Sequence, residues 1–298
     1  MDQIRVPLAN GIELDTLDTG PRDAPALIFL HGFPENHRSW RHQIAHFSDR
    51  FRCVAPDQRG YRGSSRPGGV DQYTPDKLVG DVFHLADALE VEHFTIVGHD
   101  WGGAIAWGVA MAGAPLGRVR RAIIANAPHH AVFQRLLYTS PVQRQASQYM
   151  RAFRDTTHDA AIRRDGLGPF LAQHIRWDEA DKMEPAERAA LLQDWQDGEA
   201  AIAMLNWYRA SPIDIPAPDA PYQVPQGWSV PAYPPLTIPT LVIWAQDDLA
   251  LPPENTAGLD EYVHDLTLVE IPACGHFVQW EAPDAVNAAM DAFLTRTA

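Results

Sequence analysis

The chain has 298 residues and a mass of 33.1 kDa, which suits one α/β domain with a sizeable insertion. The formal net charge of −14 argues against nucleic acid and anionic membranes as partners, because both require a basic face. Only Cys53 and Cys274 are present, so no disulfide framework is expected. No signal peptide or stretch of ~20 apolar residues is recognisable. The expected location is therefore the cytoplasm.

The chain starts with a predicted hairpin, IRVPLANGIELDTLDTG, that turns at Asn10-Gly11. Short apolar runs then alternate with longer amphipathic segments. The runs predict buried strands at 25–32, 51–57, 94–100, 120–128, 240–248 and 266–272. The amphipathic segments predict helices at 37–48, 75–90, 101–112, 254–264 and 283–296. This alternation predicts an α/β fold in which helices cover both faces of a doubly wound, mostly parallel sheet.

The alternation stops between residues 129 and 235. This stretch lacks clear strands, and residues 141–154 and 185–209 have a helical pattern. A Pro-rich stretch follows at 211–239 and is expected to be a stiff, extended return linker. An ordinary surface insertion is the alternative, but the stretch is too helical and too aromatic for a loop alone. The predicted domains are an α/β core of residues 1–128 and 236–298 and a helical cap of residues 129–235.

Residues 94–104, FTIVGHDWGGA, contain the most informative motif, in which an apolar strand meets a helix at Gly98-His99-Asp100-Trp101-Gly102. G-x-nucleophile-x-G is the nucleophile elbow of α/β-hydrolases, and most members have Ser where this chain has Asp. A carboxylate that attacks saturated carbon forms an ester, which activated water can open, whereas a serine would form a stable ether. The position at a helix N-terminus favours an anion. An Asp that only caps the helix is the structural alternative.

The base for opening such an ester is expected further along the chain, in the order nucleophile, acid, histidine. WAQDDLAL offers Asp247 and Asp248 after one strand, and His276 follows the last strand. Each alone is compatible with a solvated turn or a structural histidine, but the ordered set at strand ends predicts a triad. LHGFPEN follows another strand. It predicts an oxyanion site formed by the backbone amides of Phe33 and Trp101.

Together these motifs resemble those of the epoxide hydrolases of the α/β-hydrolase superfamily, over nearly the whole chain. The segments that carry the resemblance are HGFPENHRSWRHQI, PDQRGYRGSSRP, GHDWGGAIAW, LNWYR and CGHFVQWEAP. The resemblance implies that the sheet has eight strands and that Asp248 rather than Asp247 is the triad acid. Ala245 departs from the usual glycine of that turn. Arg62 is a second departure, because GYG is typical where this chain has GYR.

The resemblance also implies two cap tyrosines that hydrogen-bond the epoxide oxygen and donate a proton as the ring opens. Tyr208, in NWYR, matches one of them, and Tyr149, in ASQYMRAF, matches the other through its spacing to Phe153. With Phe33 and Trp101 these tyrosines are expected to line the substrate site. A phenol with a pKa near 10 can supply the proton at neutral pH. Packing within the cap is the alternative role for each.

The expected reaction is hydrolysis of an epoxide to a vicinal diol through an ester on Asp100, with water activated by His276 and without metal or cofactor. Haloalkane and haloacetate dehalogenases are the rivals. The first often have Asn as a halide donor where this chain has Phe33, and the second have Arg after the nucleophile. A non-catalytic small-ligand binder is a third reading, which would not need the triad. His129-His130 lies at the cap junction, where lining the site and a hinge or surface role are both open, and the sequence predicts no oligomeric state.

Overall fold

An eight-stranded sheet forms the centre of the computed structural model, which describes residues 3–175, 182–229 and 235–297. The strands are β1 (Gln3–Pro7), β2 (Glu13–Thr19), β3 (Ala26–Leu30), β4 (Arg52–Pro56), β5 (Phe94–His99), β6 (Val119–Ala125), β7 (Thr240–Ala245) and β8 (Leu266–Ile271). Their order is β1-β2-β4-β3-β5-β6-β7-β8. β1 and β2 form the predicted hairpin, and β2 pairs antiparallel with β4. All other pairs are parallel, which confirms the mostly parallel sheet.

Helices cover both faces of this sheet. All α-helices of the described residues, including those outside the two faces, are α1 (Arg41–Phe47), α2 (Pro75–Ala88), α3 (Asp100–Gly113), α4 (His130–Thr139), α5 (Pro141–Ala146), α6 (Tyr149–Arg154), α7 (Asp159–Asp165), α8 (Leu167–His174), α9 (Pro185–Asp194), α10 (Gly198–Ala210), α11 (Val278–Glu281) and α12 (Pro283–Arg296). Alternate strand residues enter two separate cores, one packed against α2 and α3 and the other against α1 and α12. None of the helices in the described ranges is long and apolar enough to cross a bilayer.

Helices α4 to α10 lie between β6 and β7, and we call residues 126–239 the helical insertion. The two long helices predicted within it are each divided, at Ser147–Gln148 and at Trp195–Asp197. The second division has a local cause, because the Asp197 carboxylate caps α10 by accepting hydrogen bonds from two backbone amides of its first turn. Residues 230–234 of the predicted linker lie outside the described residues. The cap boundaries, 129–235, stay a prediction.

The helix predicted at residues 254–264 is wrong. This segment forms two 3-10 turns instead, Pro253–Thr256 and Leu259–Glu261. Gly258 separates them with a φ of +78°, a left-handed conformation that ends a right-handed helix. The apolar spacing of the segment predicted a continuous helix, and Gly258 prevents it.

The sheet topology gathers the candidate site at one edge. β3, β5, β7 and β8 run parallel, so their carboxyl ends meet at the same edge of the sheet. The segments that follow these four strands carry Phe33, Asp100, Asp248 and His276. In open α/β sheets this edge is the usual place for a ligand.

Candidate active site

Asp100 lies at a sharp turn between β5 and α3. Its φ is +51°, a left-handed conformation that costs a non-glycine residue about 1–2 kcal/mol. The flanking glycines are required by close approach. A Cβ on Gly98 would lie 2.4 Å from the carbonyl oxygen of Gly102, and a Cβ on Gly102 would lie 2.2 Å from that of Leu30. Strained turns of this kind are concentrated at active sites, where they present a side chain.

The Asp100 carboxylate is held by the two amides that the sequence predicted. The Phe33 amide donates to Oδ1 at 2.7 Å, and the Trp101 amide also donates to this carboxylate. The second oxygen, Oδ2, lies 3.5 Å from Nε2 of His276. Burial alone would raise the pKa of Asp100, but the hydrogen bond and charge of His276 outweigh it and lower the pKa below its ordinary value. The carboxylate is therefore ionised at neutral pH.

Asp248 is the carboxylate that contacts Nδ1 of His276. Its Oδ2 lies 2.7 Å from Nδ1 of His276 and accepts a hydrogen bond of 2.7 Å from Asn126. Its Oδ1 accepts hydrogen bonds of 2.8 Å from two backbone amides of the same turn, those of Ala250 and Leu251. Asp248 is 4% exposed, whereas Asp247 faces solvent. The geometry thus brings Asp248, and not Asp247, to the histidine.

His276 lies between two carboxylates. Burial alone would lower its pKa, but the charge of Asp248 and the hydrogen bond to Asp100 outweigh it and raise the pKa well above the ordinary value. The imidazole is therefore protonated while both carboxylates carry their charge. If the charge of Asp100 is removed, one of the two stabilising partners is lost and the pKa of His276 falls. The pKa of His276 is thus coupled to the charge of Asp100.

Tyr149 and Tyr208 project from the helical insertion toward Asp100. Their ring centroids are 6.3 Å apart. Tyr208 is 2% exposed. Its ring packs edge-on against those of Phe33, Phe153 and Trp101, with centroid distances of 5.1, 4.9 and 5.1 Å respectively. Burial, followed by the negative charge of Asp100, raises the pKa of Tyr149 above its ordinary value, and burial also raises that of Tyr208. Both hydroxyls therefore keep their protons at neutral pH.

Two cavities meet at these residues, because Asp100, Tyr149 and Tyr208 line both. The first has a volume of about 480 Å³ and reaches His276 and the glutamines of the α5–α6 region, Gln145 and Gln148. The second has a volume of about 380 Å³ and is lined mostly by apolar side chains, including Trp101, Ile105, Met111, Phe133 and Ile213. A molecule bound at Asp100 can thus extend into both cavities, which together are large enough for a drug-sized ligand.

A buried polar network behind His276 was not predicted as part of the site. Glu35 is 3% exposed and accepts hydrogen bonds from Gln279 at 3.0 Å and Trp280 at 2.8 Å. Gln279 also contacts Nδ1 of His99, whose Nε2 lies 2.8 Å from the carbonyl oxygen of His276. Burial raises the pKa of Glu35 to about 8, although the hydrogen bond from Trp280 opposes this rise. Burial also lowers the pKa of His99 to about 3. Both groups are therefore neutral at pH 7.

The sequence contains signals for Glu35 of this network and for Asn126, which donates to Asp248. Glu35 belongs to the motif HGFPEN that was used only for its amide, and a carboxyl group in such an apolar turn is unusual enough to suggest a buried role. Asn126 follows β6 just as Asp100 follows β5, so the strand-end rule that found the triad could also have found it.

The histidine pair has two different environments. His130 lines the second cavity, and its Nε2 lies 2.9 Å from the carbonyl oxygen of Ala104. His129 caps α4 and stacks on Tyr262 at 4.4 Å. Burial lowers the pKa of both, to about 3 for His129. In the described residues no group of three or more His, Cys, Asp or Glu side chains is arranged to hold a metal ion.

Comparison with known proteins places this site in a family. The family model of the alpha/beta hydrolase fold matches residues 25–283. A solved structure described under novel epoxide hydrolases from metagenomes of hot environments is 66% identical, covers 99% of this chain and 98% of that chain, and has a TM-score of 0.96. A mutant epoxide hydrolase from Bacillus megaterium, solved with its product (R)-3-[1]naphthyloxy-propane-1,2-diol, is 30% identical over 98% of this chain and all of that chain, with a TM-score of 0.86.

A curated relative gives the same result. Epoxide hydrolase 1 of Caenorhabditis elegans is 30% identical over 96% of this chain and 68% of its own length. The chain therefore belongs to the α/β-hydrolase superfamily and, within it, to the epoxide hydrolase family.

Proposed function

We propose that this protein hydrolyses an epoxide to a vicinal diol through a covalent ester on Asp100. One observation carries the proposal. An ionised carboxylate, held by the Phe33 amide at 2.7 Å, faces two protonated tyrosines at the junction of two cavities. A nucleophile and acid groups on opposite sides of a bound molecule are what ring opening requires.

In the first step, Oδ2 of Asp100 attacks an epoxide carbon and the carbon–oxygen bond of the ring breaks. The electron pair moves to the ring oxygen, which receives a proton from Tyr149 or Tyr208. General-acid assistance of this kind is worth roughly 10²–10⁴-fold in rate. The product of the step is a hydroxyalkyl ester in which Oδ1 is the carbonyl oxygen, still at the Phe33 and Trp101 amides.

In the second step, His276 removes a proton from water, and the hydroxide attacks the ester carbon. Ester formation has removed the charge of Asp100, so the pKa of His276 falls; the imidazolium gives its proton, through solvent, to the tyrosinate left by the first step, and the neutral imidazole is then the base. The oxyanion forms at Oδ1, between the two amides. The bond between the ester carbon and Oδ2 then breaks, and the imidazolium of His276 gives its proton to Oδ2 as the diol leaves. The carboxyl group that remains has gained the oxygen of water and becomes a carboxylate again by giving its proton to His276.

The helical insertion supplies the substrate side of the reaction. We propose that residues 129–235 form a cap whose tyrosines fix the epoxide while its two substituents occupy the two cavities. The apolar cavity of about 380 Å³ suits an aryl or long alkyl group. This agrees with the naphthyloxy diol bound by the Bacillus megaterium relative.

Dehalogenation would use the same nucleophile, but the geometry favours it less. Where haloalkane dehalogenases often have an Asn halide donor, this chain has Phe33, whose ring packs edge-on against Tyr208 at 5.1 Å. Carbon–halogen cleavage also has no use for a proton donor, since halide is a stable leaving group. The two tyrosines are thus better explained by epoxide opening.

His276→Gln tests the proposal directly. Ring opening needs no histidine, so this variant should convert phenyl glycidyl ether into a stable adduct, seen by intact mass as one added substrate on Asp100. The double variant Asp100→Ala, His276→Gln is the control and should remain unmodified. Unmodified protein in both variants would contradict the covalent scheme.

A single turnover in ¹⁸O-water distinguishes this scheme from direct attack of water. With enzyme in excess, the diol should be unlabelled and the Asp100 carboxylate should gain one ¹⁸O. Label in the first-turnover diol would contradict the ester. Release of diol from epoxides, compared with release of chloride from 1-chlorohexane and chloroacetate, separates the proposed activity from dehalogenation.

A further inference from the structure

Arg62 has a backbone conformation that an arginine rarely adopts. Its φ is +42°, in the left-handed region, which favours the glycine that is typical at this position of the family motif. Its side chain bridges two carboxylates from distant parts of the chain. Nη1 donates to Asp57 at 2.9 Å, and Nε lies 3.3 Å from Asp194. An unfavourable backbone conformation is therefore coupled to a contact between the sheet core and the helical insertion.

The core end of this bridge holds one end of the Phe33 loop, which we define as residues 31–37. Asp57 is fully buried and follows β4. Its Oδ1 accepts hydrogen bonds from the backbone amide of His37 at 3.0 Å and from Nδ1 of the same residue at 2.8 Å. The carboxylate that Arg62 contacts thus also fixes the last residue of the loop.

The other end of the bridge holds the middle of the same loop. Asp194, the last residue of α9, accepts a hydrogen bond from the side-chain amide of Asn36 at 3.0 Å. The following residue, Trp195, donates from its indole to the carbonyl oxygen of Pro34 at 2.9 Å. The insertion therefore grips the loop next to Phe33, whose amide donates to Asp100 at 2.7 Å.

We infer that Arg62 is a positioning residue for the oxyanion site: by tying Asp57 to Asp194, it keeps both supports of the Phe33 loop in register and so holds the Phe33 amide on Oδ1 of Asp100. The inference rests on the proposed function. It explains why an arginine occupies a left-handed position, since glycine there could not link the two supports.

This role predicts that the two chemical steps respond differently. During ring opening the carboxylate loses its charge, so a weaker amide contact does not slow that step. During ester hydrolysis a negative charge develops on Oδ1, so the same weakening raises the barrier. Loss of an entire oxyanion donor costs about 10²–10³-fold in rate, and a displaced donor should cost less, roughly 10-fold.

Arg41 provides a matched control. Its Nε lies 3.4 Å from Glu184 of the insertion, so it also links core and insertion through an ion pair. However, neither Arg41 nor Glu184 is among the residues that hold Pro34, Asn36 or His37 in the described structure. A general loosening of the insertion should therefore result from either substitution, whereas a displaced oxyanion donor should result only from loss of Arg62.

The experiment uses rapid quench and intact mass to follow formation and decay of the ester from phenyl glycidyl ether. Arg62→Gln and Arg62→Gly should slow ester decay roughly 10-fold, keep ester formation within about twofold and raise the fraction of ester at steady state. Asp194→Asn should slow ester decay at least as much, because Asp194 contacts both Arg62 and Asn36, and combination with Arg62→Gln should be less than additive, because the two variants share the Arg62–Asp194 link. Arg62→Lys should restore part of the decay rate, and Arg41→Gln should change neither step.

Equal slowing of both steps, no change in either, or the same effect in Arg41→Gln would overturn the inference. Arg62→Gly keeps the test valid if Arg62→Gln folds poorly, because glycine suits the backbone at this position. If the wild-type protein formed no ester and no diol, the proposed function would fail instead. The two failures are therefore distinguishable.

Discussion

On the sheet side of the site, charged groups are linked by hydrogen bonds and ion pairs, whereas on the helical side the rings of two neutral tyrosines pack against other aromatic rings. Asp100, Asp248 and His276 are linked to one another and to backbone amides over distances of 2.7 to 3.5 Å. The ring of Tyr208 instead packs edge-on against those of Phe33, Trp101 and Phe153. The difference suits the proposed mechanism, in which the sheet side stabilises changing charge while the helical side gives up one proton and shapes the cavity.

This comparison predicts that substitutions on the two sides impair different steps. On the sheet side, Asp248→Asn leaves the imidazole without its anionic partner. We expect turnover to fall by about 10⁴-fold, as for loss of the acid in other triads, with ester accumulating because ring opening needs no base. Steady-state kcat and intact mass measure both effects.

Asp247→Asn is the matched control for this substitution, since Asp247 faces solvent one residue away. It should leave turnover unchanged. A comparable loss in both variants would contradict the assignment of Asp248. A loss in Asp248→Asn without accumulated ester would remove the distinction between the two sides.

On the helical side, Tyr208→Phe should slow ring opening by about 10²-fold and leave ester hydrolysis unchanged, because the phenol acts only as the ring oxygen leaves. Rapid quench separates the two rates. Tyr138→Phe is the control, since Tyr138 also belongs to the insertion but donates to Asp214 and lines neither cavity. Equal losses in the two variants would indicate packing rather than proton donation.

The residues on the sheet side could be predicted from sequence because one physical rule is enough to bring them together. Parallel strands place their carboxyl ends at one edge, so Asp100, the pair Asp247 and Asp248, and His276 were expected to converge once the strands were recognised. The choice of Asp248 within the pair came from the resemblance. The helical side could not be predicted in this way. Tyr208 was assigned by resemblance, since the orientation of an inserted helix depends on packing that no local pattern encodes.

Long-range contacts were unpredictable for the same reason. The link from Arg62 to Asp194 depends on where α9 packs against the core, and nothing in either segment identifies its partner. The wrong helix at 254–264 is a different case, because a local signal against it was present. Gly258 disfavours a continuous helix there, but the prediction relied on the apolar spacing instead.

A third prediction concerns pH on the sheet side. Burial alone would lower the pKa of His276, but Asp248 and Asp100 together raise it well above its ordinary value, and ester formation removes the contribution of Asp100. Decay of the ester should therefore slow about tenfold for each pH unit below the pKa of His276 in the ester, as the base becomes protonated. Ring opening should keep its rate there, because the pKa of Asp100 is lowered. Ester decay that does not depend on pH would contradict His276 as the base.

The fourth and smallest expected effect is on stability. It tests whether Glu35, a buried carboxyl group on the sheet side, is neutral in the folded protein. Burial raises its pKa in the folded protein to about 8 from an ordinary 4.5. Between these values the folded state holds a proton that the unfolded state has released, so the free energy of unfolding falls as pH rises, by up to ~1.4 kcal/mol per pH unit.

Glu35→Gln, which cannot titrate, should flatten this decline when denaturant unfolding is measured from pH 5 to 9. Glu92→Gln changes an exposed carboxyl group and should keep the wild-type slope. An unchanged slope in Glu35→Gln would mean that Glu35 is ionised, and the sheet side would then hold a third buried carboxylate beside His276.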